Sequence, residues 1–234
     1  MGFGIGDVAK ASEHKIVQLD VVANNLANAG TTGFKAQRHH PGSGIDAKGG
    51  AAPRPAFTVV DYAQGSLQKT DNALDVAIEG EGFFAVQAGQ GVAYTRKGSF
   101  TVNKNSQLVT QAGMPVLGKQ GPITISGGNV DIGAAGDVSV DGAVAGELRI
   151  VRFDNVQALT RNQEGLYSDP GTAGMKNMEN PEIKSRQLEM SNVNAIREMV
   201  DMIDIQRSFE TYQKVIHTMT DLDKMAVSRV GKLA

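Results

Sequence analysis

Residues 19–38 read LDVVANNLANAGTTGFKAQR, the end of an apolar-striped segment that gathers three asparagines and then breaks. Upstream of it and within it, apolar or small residues recur at Ile5, Val8, Ser12, Ile16, Leu19, Val22 or Ala23, and Leu26, the three-and-four spacing of one helix face. This spacing predicts a helix from Phe3 to about Ala29. Asn28, Ala29 and Gly30 are expected to supply the left-handed residues that close it, with Thr31, Thr32 and Gly33 forming a turn before Phe34. Phe34 reads as an anchor that docks the exit from the helix onto another domain. No neighbouring segment can cover the stripe.

The cover is found at the other end of the chain. From about Val193 to Val230 no glycine or proline occurs, and Ile196, Met199, Ile203, Tyr212, Ile216, Met219, Leu222 or Ala226, and Val230 mark a second helical face. A helix of about 38 residues runs about 57 Å at ~1.5 Å per residue, longer than a compact domain of this chain length is wide. The two stripes are expected to pair as a coiled coil with everything between them looped out. A two-helix coil leaves apolar surface bare, and copies of the same coil side by side would cover it. Asn24, Asn25 and Asn28 fit as side chains that hydrogen-bond across helices or to backbone at the helix end; ordinary capping is the alternative.

The middle of the chain has a different texture. Residues 39–56, HHPGSGIDAKGGAAPRPA, offer almost nothing to bury and read as an exposed loop. After Phe57 come eleven short apolar or alternating runs, among them LDVAIEG, GFFAVQ, VAYTRKG, QLVTQ and ELRIVRF, mostly separated by Gly, Asn or Asp. These are hairpin-type strands, and the strand signal fades after Phe153. The expected fold is therefore α+β. Its parts are an N-terminal helix (1–30), a turn and Gly/Pro loop (31–56), a central all-β unit (57–187) and a long C-terminal helix (188–234).

Composition narrows the function. Cysteine is absent, which excludes disulfides, thiolate metal sites and a cysteine nucleophile. The formal net charge is -2 with no basic run, so neither nucleic acid nor an anionic membrane surface is the expected partner. No apolar run is long enough to span a bilayer, and MGFGIGDVAKASEHK lacks the layout of a secretory signal. The Met-Gly start would suit myristoylation, but Gly6 stands where that motif needs Ser or Thr.

Chemical motifs are weak throughout. Gly80, Gly82, Gly89 and Gly91 lie between strands with no following Lys-Ser/Thr, so they read as turn glycines and not as a phosphate cradle. His39 and His40 read as a solvated pair without a third ligand, and His14 and His217 as members of polar helix faces. Asp71, Asp75, Glu79 and Glu81 read as solvated charges, and Met199, Met202, Met219 and Met225 as core or interface filling. No catalytic, cofactor-binding or metal residue is predicted, and no cofactor.

Three blocks carry a family resemblance. LDVVANNLANAGTTGFKAQR, then LDVAIEGEGFFAVQ with YTRKGSFTVNKNSQLVTQAGMPVLG, then LEMSNVNAIREMVDMIDIQRSFETYQKVI stand in the order found in the bacterial flagellar axial proteins, the rod and hook subunits, which this chain resembles. It is too short for a hook subunit. GMPVLGKQGPITI, and MVDMI followed by RSFETYQKVI, are similar to proximal-rod subunits, while NNLANAGTTGFKAQR is closer to distal-rod ones. A long insertion expected after that block in the distal-rod kind is missing, so the proximal rod is the expected place and the distal rod the alternative. A carbohydrate-binding or carbohydrate-acting β protein is a poorer reading, because no tryptophan is present.

The resemblance implies a structural subunit and not an enzyme. It implies export by the flagellar type III apparatus without a cleaved signal, and stacking with itself and other rod subunits into a torque-carrying tube across the periplasm. The terminal helices would line its inner layer, and they are expected to be disordered before assembly. The expected subunit contacts are Leu19, Val22, Asn25, Leu26, Asn28 and Phe34 from the first block, and Asn192, Asn194, Ile196, Met199, Ile203, Phe209 and Ile216 from the last. Where the family carries glycine in a turn, this chain has Asn105-Ser106, and Asn105 is expected to take the left-handed conformation.

Overall fold

Periodic sequence at each end becomes helix, with Gly6 tolerated in the first turn of the N-terminal one, and the glycine-punctuated middle becomes sheet. A computed structural model describes residues 5–40, 42–45, 51–53, 56–89, 91–162 and 165–230. Phe3, which enters the expectations above, lies outside these, as do most of the Gly/Pro residues between 46 and 55. The chain divides into two compact units. One comprises Met1–Ala27, Gln37–Val59 and Val193–Ala234; the other comprises Asn28–Ala36 and Val60–Asn192.

The first unit is built on α1 (Ile5–Ala27) and α2 (Ala195–Val230), which pack against each other. Asn25 Nδ2 donates to Glu198 Oε2 at 3.2 Å, and Gln213 Nε2 donates to Ser12 Oγ at 3.4 Å. The end of α1 thus meets the start of α2, and the helices run antiparallel. At ~1.5 Å per residue, the 36 residues of α2 extend about 54 Å against about 35 Å for the 23 of α1. The final turns of α2 consequently run past the level of Ile5.

The burial pattern resolves the helical stripes more finely than hydropathy does. On α1 the less exposed seam positions are Val8, Ser12, Lys15, Leu19, Val22 and Leu26; on α2 they are Glu198, Met202, Ile205, Phe209, Tyr212, Ile216 and Met219. Both sets alternate threes and fours, the spacing of a coiled-coil seam. Ile16, expected on the α1 stripe, is exposed, and Lys15 takes its place in the seam. Likewise Ile196, Met199 and Ile203, expected on the same face as Tyr212 and Ile216, are exposed. They belong to a second apolar stripe, because a helix with apolar residues in adjacent rows merges two faces into one pattern when read linearly.

Residues 39–56 differ from the expected plain loop. Gln37–His40 pairs with Phe57–Val60, and Ser43–Ile45 pairs with Ala51–Pro53 in antiparallel register. Strand pairing satisfies backbone groups and needs no apolar side chain, which is why hydropathy passes over it.

Besides FTVVDY, whose strand Phe57–Val60 pairs with Gln37–His40, the other ten expected strand segments lie in the second unit and carry antiparallel strand or bridge pairing. Its main sheet orders the strands Thr160–Arg161, Tyr167–Ser168, Gly91–Thr95, Phe83–Ala88, Ile150–Phe153 and Met175–Asn177 from edge to edge. Three of these lie after Phe153, where the apolar signal fades; they are edge or near-edge strands of two or three residues that, apart from Tyr167, bury little. The run Phe83–Val86 is buried on both faces. Phe84 and Val86 enter one core with Val76, Phe100, Leu108 and Ile150, while Phe83 and Ala85 enter another with Tyr94, Phe153 and Tyr167. A strand covered on both sides loses alternation, which explains the continuous FFAV.

Rings in the second core meet edge to face, Phe83 with Tyr167 at 5.4 Å and Tyr94 with Phe153 at 4.9 Å. Burial pushes the Tyr167 phenol up to about 12. In the turn before Leu108, the left-handed residue is Ser106 (φ 59°) and not Asn105. Asn103 Oδ1 accepts the backbone N–H groups of Asn105 and Gln107 at 2.8 and 3.0 Å, and this Asx turn moves the positive φ one residue on.

Candidate assembly surface

Within the helix pair, Asn25 is the hub. Its side chain, 1% exposed, donates to Gln37 O at 2.8 Å, accepts from Gln37 N–H at 2.8 Å and also donates to Glu198. An amide reproduces the donor and acceptor of a peptide group, so Asn25 pairs with Gln37 as a strand neighbour would. Leu19, Val22 and Leu26 share its seam, as do Phe209 and Ile216 from α2. Asn194 caps α2: its Oδ1 accepts the N–H of Arg197 at 3.1 Å, and its backbone carbonyl accepts that of Glu198 at 3.0 Å.

Three of the expected contact residues lie in the β unit. Asn28 ends its helix without a left-handed residue: its carbonyl accepts Thr31 N–H at 3.0 Å, and its side-chain oxygen accepts the Thr31 hydroxyl at 3.3 Å. The left-handed residue of this turn is Gly33 (φ 65°), where a Cβ would lie 2.6 Å from the Arg96 carbonyl carbon. The close passage of the Arg96 backbone, more than helix closure, selects glycine there. Phe34 is buried, with the Arg161 guanidinium 4.2 Å above its ring. Asn192 Oδ1 accepts Ala36 N–H at 2.8 Å, while its Nδ2 donates to the carbonyls of Asp61 and Ala63 at 2.8 and 3.0 Å.

Beside Asn192 lies a buried ionic clasp that sequence reading missed. Lys35 Nζ bonds Glu189 Oε1 at 2.5 Å and Ala63 O at 2.7 Å, with the Lys35 and Glu189 side chains 0% and 1% exposed. Gly65 N–H donates to the same carboxylate oxygen at 3.1 Å, and Arg96 Nε lies 3.7 Å from the other. Burial holds the Lys35 ammonium below its ordinary range, with Glu189 pulling the other way. Its only sequence signal was that Lys35 sits between Phe34 and Ala36. Its partner stands far along the chain, so no local pattern announces it.

What remains uncovered in the helix pair is the second stripe. Ile196, Met199 and Ile203 are 76%, 50% and 49% exposed, and Val200, which sequence reading did not single out, adds 53%. Their three-and-four spacing places them on one face of the first turns of α2. Ile16 and Val17 add exposed apolar surface on α1. Scattered apolar residues on a surface are ordinary, but four in one row of one helix are a contiguous patch. Among the described residues no group of His, Asp or Glu could hold a metal ion, and no helix is long and apolar enough to cross a membrane.

Known proteins match along most of the chain. Residues 16–35 match the family described as flagella basal body rod protein, residues 77–140 the flagellar hook protein FlgE/F/G D1 domain, and residues 184–229 the flagellar basal body rod FlgEFG protein C-terminal. The flagellar basal-body rod protein FlgF of Caulobacter vibrioides is 37% identical over 92% of this chain and 93% of its own length. FlgF of Escherichia coli is 34% identical over 90% and 91%. The rod protein FlgG of Buchnera aphidicola subsp. Schizaphis graminum is 36% identical over 86% and 90%.

Proposed function

This chain belongs to the flagellar basal-body rod protein family as a structural subunit, and on that premise we propose that it polymerises through the second stripe of α2. The observation that carries this reading is the row Ile196, Met199, Val200 and Ile203. Fully covering one such side chain contributes about 1.5–3 kcal/mol, so several copies of the contact along a stack hold firmly. The seam residues Leu19, Val22, Leu26, Phe209 and Ile216, with Asn25 beside them, shape the pair that presents the row. Asn28, Phe34 and Asn192 support the β unit, and Asn194 sets where α2 begins.

The subunit sits in the flagellar basal body, beside other rod subunits. Its place is that of the FlgF kind, at the proximal end of the rod, supported by the 37% identity to the Caulobacter vibrioides protein. The tube spans the periplasm and transmits torque through many parallel helix contacts. Export runs through the flagellar type III apparatus without cleavage of a signal, a reading supported by the family resemblance.

Replacing Ile196 and Ile203 together by aspartate tests the surface. The expected result is a monomer whose β unit keeps its natural denaturation midpoint but which no longer forms rods and does not restore motility. Normal rod formation by that variant would overturn the proposal.

A further inference from the structure

One arrangement at the edge of the main sheet in the β unit is not explained by packing. Met175 opens the outer strand Met175–Asn177 opposite Phe153, and 39% of its surface is exposed. Two donors converge on its sulfur. The Tyr94 hydroxyl donates to Met175 Sδ at 2.9 Å in a part-buried contact, and Arg149 Nη2 lies 4.0 Å from the same atom in an exposed one. Arg149 Nε donates to Asn177 Oδ1 at 3.2 Å, which ties the guanidinium to the same strand. A thioether is a weak acceptor, so a phenol and a guanidinium offer more than the sulfur can use.

The two distances assign different roles. At 2.9 Å the Tyr94 hydroxyl occupies one lone pair of Sδ and holds the sulfur in place. Burial raises the Tyr94 phenol above its ordinary value of 10, so it stays a donor throughout the neutral range. At 4.0 Å the guanidinium is too far for a strong bond to sulfur. That separation exceeds an N–H···O bond of about 2.9 Å by roughly what one oxygen added to the sulfur would take up. The gap opens to solvent, where a small oxidant reaches it.

We propose that Met175 is a reversible oxidation site, with Tyr94 positioning its sulfur and Arg149 receiving the sulfoxide oxygen. With hydrogen peroxide as oxidant, the open lone pair of Sδ attacks one peroxide oxygen; the S–O bond forms as the O–O bond breaks, and the second oxygen takes up the proton of the first and leaves as water. The sulfur is oxidised by two electrons and the peroxide reduced by two. The new oxygen is a strong acceptor in the gap before Arg149 Nη2, so a contact too long for a thioether becomes a charge-assisted hydrogen bond. Because Tyr94 covers one lone pair, oxygen adds to the other, and one sulfoxide epimer forms in excess. Oxidation here ties the strand Met175–Asn177 more firmly to its neighbour Ile150–Phe153, whereas a sulfoxide inside an apolar core loosens it.

The test treats the full, unassembled chain with graded hydrogen peroxide, once folded and once in urea. Peptide mass spectrometry reads Met175 occupancy, reductases specific for each epimer read the epimer ratio, and Met199, 50% exposed, reports the dose. The folded chain should carry Met175 sulfoxide at doses that oxidise Met199, one epimer exceeding the other by about threefold or more, the scale set by one hydrogen bond. In urea the two epimers should be equal. Met175→Leu, treated in parallel, measures the damage at the other methionines. Against that reference, peroxide should lower the unfolding constant of the β unit in the natural chain by about threefold, read from the near-UV tyrosine signal. In Arg149→Gln this gain should vanish while the epimer excess remains. A Met175 that stays a thioether once Met199 is oxidised, equal epimers in the folded chain, a natural chain that peroxide destabilises as much as Met175→Leu, or a gain that persists in Arg149→Gln would each overturn the proposal. The comparison of folded chain with urea needs no variant to fold.

Discussion

Phe84 in the β unit is completely buried, and its neighbours Phe83, Ala85 and Val86 are almost equally so, shared between two cores on opposite faces of one strand. Ile196 in the helix pair keeps 76% of its surface in water, and the three apolar residues that share its row keep about half of theirs. The β unit even buries its charges in pairs, Lys35 against Glu189 with Arg96 beside them. The β unit covers most of its large apolar groups with its own chain and leaves bare scattered residues such as Val144, with no continuous row for a neighbour to cover. The helix pair satisfies one seam and leaves a second row bare, so its stability has a further contribution to gain from neighbours.

This contrast can be broken by mutation, with effects that should fall in order. Phe84→Ala should cost the β unit about 3–5 kcal/mol, measured by denaturant titration of its near-UV tyrosine signal. If the far-UV helix signal were lost in the same transition, the contrast would fail, because the two units would be one cooperative body. Lys35→Met leaves Glu189 buried without its cation and should cost about 3 kcal/mol, with much of the loss recovered when Glu189→Leu is added. A silent single variant would mean that the clasp holds nothing.

Smaller effects sharpen the helix side. Asn25→Leu removes three hydrogen bonds and leaves the backbone groups of Gln37 unpaired, so thermal loss of helix signal should come earlier by about 2 kcal/mol while the β unit is unmoved. Asn194→Ala removes the cap of α2 and should cost about 1 kcal/mol, read in the same melt. Ile196→Asp should change monomer stability by less than about 0.5 kcal/mol, since the side chain is already in water, yet it should weaken rod formation measured by sedimentation. A large monomer effect there would mean that the row is covered within the chain.

Much of this was legible from residue order. Both helices, the eleven strand segments and the assignment of Leu19, Val22 and Leu26 to one face follow from local periodicity, because a helix or strand repeats its environment every few residues. The weakly apolar pairings were not legible: Gln37–His40 with Phe57–Val60, and the edge strands after Phe153, are held by backbone groups that every residue possesses. The candidate surface was half legible. Ile196, Met199 and Ile203 were singled out, but as one face with Tyr212 and Ile216, from which the structure separates them.

Residue order alone determined that this chain has helical ends around a sheet-rich middle, since spacing, glycine and proline act over a few bonds. Only tertiary structure decided which apolar row meets its partner and which stays bare, that Asn25 would grip Gln37, that Lys35 would find Glu189, and that His39, read as solvated, would bury both ring nitrogens without a hydrogen bond. Those outcomes depend on which distant segments arrive beside each other, and the contact energies of a buried charge or an unpaired ring nitrogen exist only once they have.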